Sequence, residues 1–143
     1  EDFEHWQFYF IECRNNNLNI VLWLWPNDAR NSYNHPTQWS DQQILEQMML
    51  LITLGNTPYR QNDVLVKDYV LKLEADDEWP IPKINKIAAQ VKQILPADAR
   101  LWYHNQTTDL KTLQQIDWNN FDGIRYQFRA RTGKAAIILQ WSR

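Results

Sequence analysis

A chain of 143 residues has the length of one domain, and 44% hydrophobic against 22% charged residues is the balance of a packed core, not of a disordered segment. A net charge of −2 with a pI near 5.9 excludes bulk attraction to nucleic acid or to an anionic membrane, and no run approaches the roughly 18 apolar residues of a membrane span. One cysteine, Cys13, excludes an internal disulfide and a cysteine-based zinc site. The lone thiol leans toward a reducing, cytoplasmic compartment. The start at Glu1 leaves a removed leader, and with it a periplasmic or secreted location, open.

The N-terminal residues are rich in aromatic side chains. His5 to Arg14 and Leu18 to Trp25 flank Asn15-Asn16-Asn17, and asparagine tolerates the left-handed conformation of tight turns, so the segment reads as a β-hairpin. Residues 26–38 read as a long polar loop containing Tyr33 and His35. A helix follows. Ser40 and Gln43 have the spacing of a capping box and Trp39 and Ile44 that of a hydrophobic staple. Ile44, Met48, Leu51 and Ile52 recur on one helical face, and Gly55 stands where a C-terminal cap belongs.

Asp63 to Glu74 is ambiguous in period, and its β-branched content favours a strand. An acidic turn, Asp76-Asp77-Glu78, precedes a second helix from Lys83 to Leu95. That helix turns Ile84, Ile87, Ala88, Val91 and Ile94 inward and is ended by Pro96. Arg100 to His104 reads as a strand and Asp109 to Ile116 as a short helix. Ile124 to Arg131 and Ala135 to Trp141 read as a closing hairpin turned near Gly133. The expected order is ββ-α-β-α-β-(α)-ββ: a single α+β two-layer domain over residues 1–143, with a mostly antiparallel sheet, hairpins at both ends and two main helices.

Motifs of chemistry are sparse. Three glycines in the whole chain leave no phosphate-cradling loop, and no serine sits in a nucleophile elbow. His5, His35 and His104 lack ligand spacing, and the carboxylates Glu74, Asp76, Asp77 and Glu78 lack the spacing and glycine of a calcium loop. No metal or cofactor is expected. The last hairpin alternates Arg125, Arg129 and Arg131 with apolar residues, which suits either a solvated sheet face or a site for phosphate or an acidic surface.

Eight tryptophans exceed ordinary usage several-fold, and Trp, Tyr and Arg are the residues of interface hot spots. Trp25, Tyr33, His35 and Trp39 form one candidate patch, and Trp79 and Trp118 mark two others. The expectation is a non-enzymatic module that binds another protein, such as an immunity-type partner that neutralises a bacterial toxin or effector. One alternative is a small metal-independent RNase-like or RNA-binding domain that uses His104 with Arg125 and Arg129. A second is carbohydrate binding through exposed tryptophan. Net charge disfavours nucleic acid as the partner, and no membrane insertion is expected.

Overall fold

The computed structural model describes residues 2–25, 39–58, 66–72, 75–105, 110–129 and 136–142. The chain begins with a helix, α1 (Asp2–Asn15), not with the strand of a hairpin. Aromatic residues favour strands only where a pleated, half-buried surface holds them, and Ile11 is the sole β-branched residue between His5 and Arg14. The asparagines do turn the chain, but as a helix cap. Asn17 takes a left-handed conformation (φ 54°), its N–H donates to Arg14 O at 3.0 Å, and Leu18 N–H donates to Cys13 O at 2.8 Å, which is a Schellman closure.

β1 (Val21–Trp23) leads through 26–38, outside the described residues, to α2 (Asp41–Gly55). Both halves of the capping box form: Gln43 N–H donates to Ser40 Oγ at 3.2 Å, and Ser40 N–H to Gln43 Oε1 at 2.9 Å. The C-cap is Asn56, not Gly55. Gly55 is the last helical residue, and its lack of a side chain serves a close approach. A Cβ there would lie 2.8 Å from Tyr69 Oη and 2.9 Å from Leu22 Cδ1.

β2 (Asp68–Val70), α3 (Ala75–Glu78), α4 (Ile81–Ile94) and β3 (Arg100–Asn105) follow. The acidic turn is thus one turn of helix. Pro82 falls in the first turn of α4, where its missing N–H costs nothing. Ile84, Ile87, Ala88 and Val91 are buried as expected, whereas Ile94 in the last turn faces outward. α5 (Leu110–Gln114) and a 3-10 turn (Trp118–Asn120) lead to β4 (Gly123–Arg129) and β5 (Ala136–Ser142).

The sheet overturns the expected fold class. Its order is β1-β2-β3-β4-β5, and β1 to β4 are all parallel, so the arrangement is α/β and not a mostly antiparallel α+β layer. β5 alone runs antiparallel, against β4, from Gly123 opposite Ser142 to Arg129 opposite Ala136. Each strand steps one place along the sheet in the same direction. Right-handed crossovers that progress this way put every connecting helix on one face. α2 and α4 accordingly pack side by side, tied by Asp41 to Lys83 at 3.3 Å and to Lys86 at 2.7 Å. Leu22 and Leu24, Tyr69 and Leu71, and Leu101 and Tyr103 point toward these helices and join Ile44, Met48, Ile84, Ile87 and Val91 in one core.

Candidate functional site

The register defines a second row on the opposite face of the sheet. Trp23, Val70, Trp102 and Gly123 are aligned across β1 to β4, with Asp68 and Arg100 one step before it and His104 and Arg125 one step after. Val70 and Trp102 are fully buried yet lie outside the helix-side core, so this face has packing of its own. Asp68 organises it. Its Oδ1 accepts from Trp102 Nε1 at 2.7 Å and from Arg100 Nε at 2.8 Å, and its Oδ2 accepts from Arg100 Nη2 at 2.9 Å. The guanidinium groups of Arg100 and Arg125 lie 5.4 Å and 5.2 Å from the Trp102 ring centroid, within cation–π range.

The two arginines differ in their partners. Arg100 is held in a two-pronged pair by Asp68, the strong geometry for a guanidinium and a carboxylate. Arg125 is half-buried, has no ion pair among the described residues, and its Nε is buried without a hydrogen-bond acceptor. Burial lowers its pKa from the usual arginine value, with Asp68 opposing that change and Arg100 adding to it.

His104 is 1% exposed and stacks edge-on against Trp23, with ring centroids 4.9 Å apart at 70°. Burial pushes its pKa down to about 4; Asp76 pulls the other way, and Arg125 adds to the lowering. At neutral pH it is an uncharged imidazole closed off from solvent. The structure therefore brings His104 and Arg125 side by side, in register, but does not offer His104 to a substrate in water. Arg129 ends β4 with its side chain outside the described residues, where Tyr33, His35 and Arg131 also lie.

The tryptophans expected to mark binding patches are occupied with packing. Trp25 stacks against Trp39 at 5.5 Å and Trp79 at 6.4 Å, and Trp25 and Trp79 are buried. Lys72, itself fully buried at the end of β2, and Lys83 from α4 lie 5.6 Å and 5.0 Å from the Trp79 centroid. Trp118 is half-buried edge-on against Tyr103 at 5.6 Å, with its Nε1 donating to Leu113 O at 3.0 Å. Trp23, Trp25, Trp39, Trp79, Trp102 and Trp118 are all buried or half-buried, and among the described residues no His, Cys, Asp and Glu group has the arrangement of a metal site.

The exposed large apolar residues are others: Leu18, Ile94 and Leu110 stand singly, and two pairs are adjacent in sequence. Phe8 (62% exposed) and Tyr9 (60%) stand on the outward side of α1, and Met49 and Leu50 (57%) on the outward side of α2. The run Met48-Met49-Leu50-Leu51-Ile52 carries the signal that would have found the second pair, because it is apolar around the whole circumference of the helix and not along one stripe. Lys72 was equally legible as a charge inside the apolar run Val70-Leu71-Lys72-Leu73. Asp68 and Arg100 carry no such signal, since their meeting depends on the parallel pairing of β2 with β3. No protein family, curated protein or solved structure matches this chain. Among the described residues, no helix is long and apolar enough to cross a membrane.

Proposed function

We propose that this domain works by binding another protein, through the outward sides of α1 and α2. The observation that carries the reading is the exposure of Phe8 and Tyr9 on α1, where the neighbouring Phe10 packs against the core, and of Met49 and Leu50 on α2, whose Ile44, Met48 and Ile52 are buried. Large apolar side chains shown in this way are the common mark of an interaction surface. The charge of the same elements sets the partner's chemistry. Of the charges near these residues, Glu12 and Glu46 are exposed, while Asp41 is engaged by Lys83 and Lys86, so the complementary surface is apolar with a basic rim. A basic toxin or effector, neutralised by capping, is a partner of that kind.

The enzymatic alternative draws less support, because a general acid or base must reach its substrate and His104 is enclosed and uncharged. Sugar stacking on tryptophan is disfavoured by the burial of Trp25 and Trp79.

The test uses the domain as bait in lysate of its source, with size exclusion of the domain alone and of any complex. Phe8→Ser/Tyr9→Ser and Met49→Ser/Leu50→Ser double variants are compared in parallel. Because these side chains are exposed, each single change should alter stability by only about 0.5 kcal/mol. A stoichiometric protein complex that either pair disrupts without a change in melting supports the reading. A complex indifferent to both pairs, or none at all, refutes it.

A further inference from the structure

The sheet face opposite the α2 and α4 layer holds an arginine, Arg125, with no ion pair among the described residues. Asp68, Arg100 and Arg125 surround one indole, and Asp68 spends both oxygens on Arg100 and Trp102. Arg125 is left with a buried Nε–H and no acceptor. A buried donor without an acceptor has lost its hydration with nothing in return, and the cost is greater when the group is charged. A lysine or a neutral residue at 125 would avoid that cost, yet the strand places an arginine here, braced against Trp102 at 5.2 Å.

We infer that Arg125 is the receptor for one oxyanion, a carboxylate or a phosphate, bound through its terminal N–H groups, since Nε itself is enclosed. Three features support this chemistry and not general stickiness. The guanidinium lies over the Trp102 ring, 5.2 Å from its centroid, and that contact restrains the fork that oxyanions match. Arg100, two strand positions from Trp102, is saturated by its two-pronged pair with Asp68 and so does not compete as a ligand. His104, in register with Arg125 on β3, is neutral and so adds no second cation. The ligand is then held by directional bonds more than by net charge, consistent with a protein of overall charge −2.

The experiment is a titration of the full 15N-labelled chain with inorganic phosphate and, separately, with acetate, at constant ionic strength set by chloride. The readouts are the Arg125 Nε–Hε resonance and the melting temperature. The expected result is a saturable shift of Arg125 Hε with one or both oxyanions and none with chloride. Arg100 Hε, already bonded to Asp68, should stay in place as the internal control. Tm should rise by a few degrees as saturation is approached, because ligand that binds only the folded chain stabilises it. Whichever anion saturates at the lower concentration assigns the site to carboxylate or phosphate ligands. Arg125→Lys keeps the charge and loses the fork, so it should melt within a few degrees of the parent and lose the Tm response to the oxyanion. The proposal is overturned if Arg125 Hε and Arg100 Hε move together, if chloride has the same effect, or if Arg125→Lys keeps the full response.

Discussion

The state of His104 makes the most direct test of how this interior is built. The structure gives a folded-state pKa of about 4, because burial against Trp23 strips water from the imidazole. The same side chain in an unfolded chain titrates near 6.5. As pH falls, the unfolded chain therefore takes up the proton first. The stability tied to neutral His104 is whole above about pH 6.5 and is lost progressively toward pH 4. A gap of this size corresponds to about 3 kcal/mol, of which about 2.5 kcal/mol falls between pH 7.5 and 4.5. Asp41 and Asp98, held below the usual carboxylate range by lysines, give up their share of stability only at lower pH. Urea unfolding followed by tryptophan fluorescence, at several pH values from 7.5 to 4.5, measures the effect in the parent and in His104→Gln. The parent should lose about 2.5 kcal/mol more than the variant across that range. Parallel curves, or a His104 ring resonance titrating near pH 6.5, would refute a buried, neutral imidazole.

Other perturbations probe the helix side. Gly55→Ala should destabilise by about 2–3 kcal/mol, despite the roughly 1 kcal/mol that alanine gains in a helix, because its Cβ would enter the space of Tyr69 Oη and Leu22 Cδ1; chemical denaturation gives the sign directly. Tyr69→Phe removes a buried hydroxyl that lacks a partner among the described residues and whose pKa burial pushes up to about 12, so it should be neutral or stabilising by about 1 kcal/mol. A clear loss would show that the hydroxyl is bonded. In the Tyr69→Phe background Gly55→Ala should cost less, since the nearest clash is gone; a double-mutant cycle reads that coupling. Ser40→Ala, which opens the capping box, should cost about 1 kcal/mol in the same assay.

Local chemistry was legible in the sequence, and pairing was not. The capping box at Ser40 and Gln43, the inward stripe Ile84-Ile87-Ala88-Val91 and the strand at Arg100 all follow from spacing within one element. In the N-terminal segment aromatic density suggests a strand, yet Asp2–Asn15 is helical, because aromatic residues favour strands only where a pleated surface holds them. The asparagines that suggested a hairpin instead close α1, since a left-handed residue serves a turn and a helix cap equally well. With that segment read as a helix, the alternation from β1 through α2, β2, α4 and β3 is the sign of a parallel sheet. Runs such as Leu22-Trp23-Leu24-Trp25 and Leu101-Trp102-Tyr103 agree, being apolar on both faces. The tryptophans are ambiguous in a different way. Composition cannot tell a ring that braces a core from one that meets a partner, and Trp25 and Trp79 brace the core.

The strand order also bears on where function can lie. In doubly wound sheets the order reverses, helices leave on both faces, and a crevice opens at the reversal where ligands bind. Here β1 to β4 advance without reversal and the crossovers share one face, so the topology creates no such crevice. The two surfaces proposed for binding are what the single-sided winding leaves over. On one side that is the outer surface of the helix layer, where Met49 and Leu50 are exposed because α2 is apolar on more faces than the core can cover. On the other it is the sheet face without crossover helices, where Asp68 satisfies Arg100 and Trp102 but leaves Arg125 unmatched. The two surfaces are separated by the sheet and differ in chemistry, one apolar with acidic flanks and the other a single oriented cation. Loss of the protein complex in the Met49→Ser/Leu50→Ser variant and loss of the oxyanion response in Arg125→Lys should therefore be independent. A variant at one surface that abolished the response at the other would mean that the sheet between them transmits a change, and that the two sites belong to one mechanism.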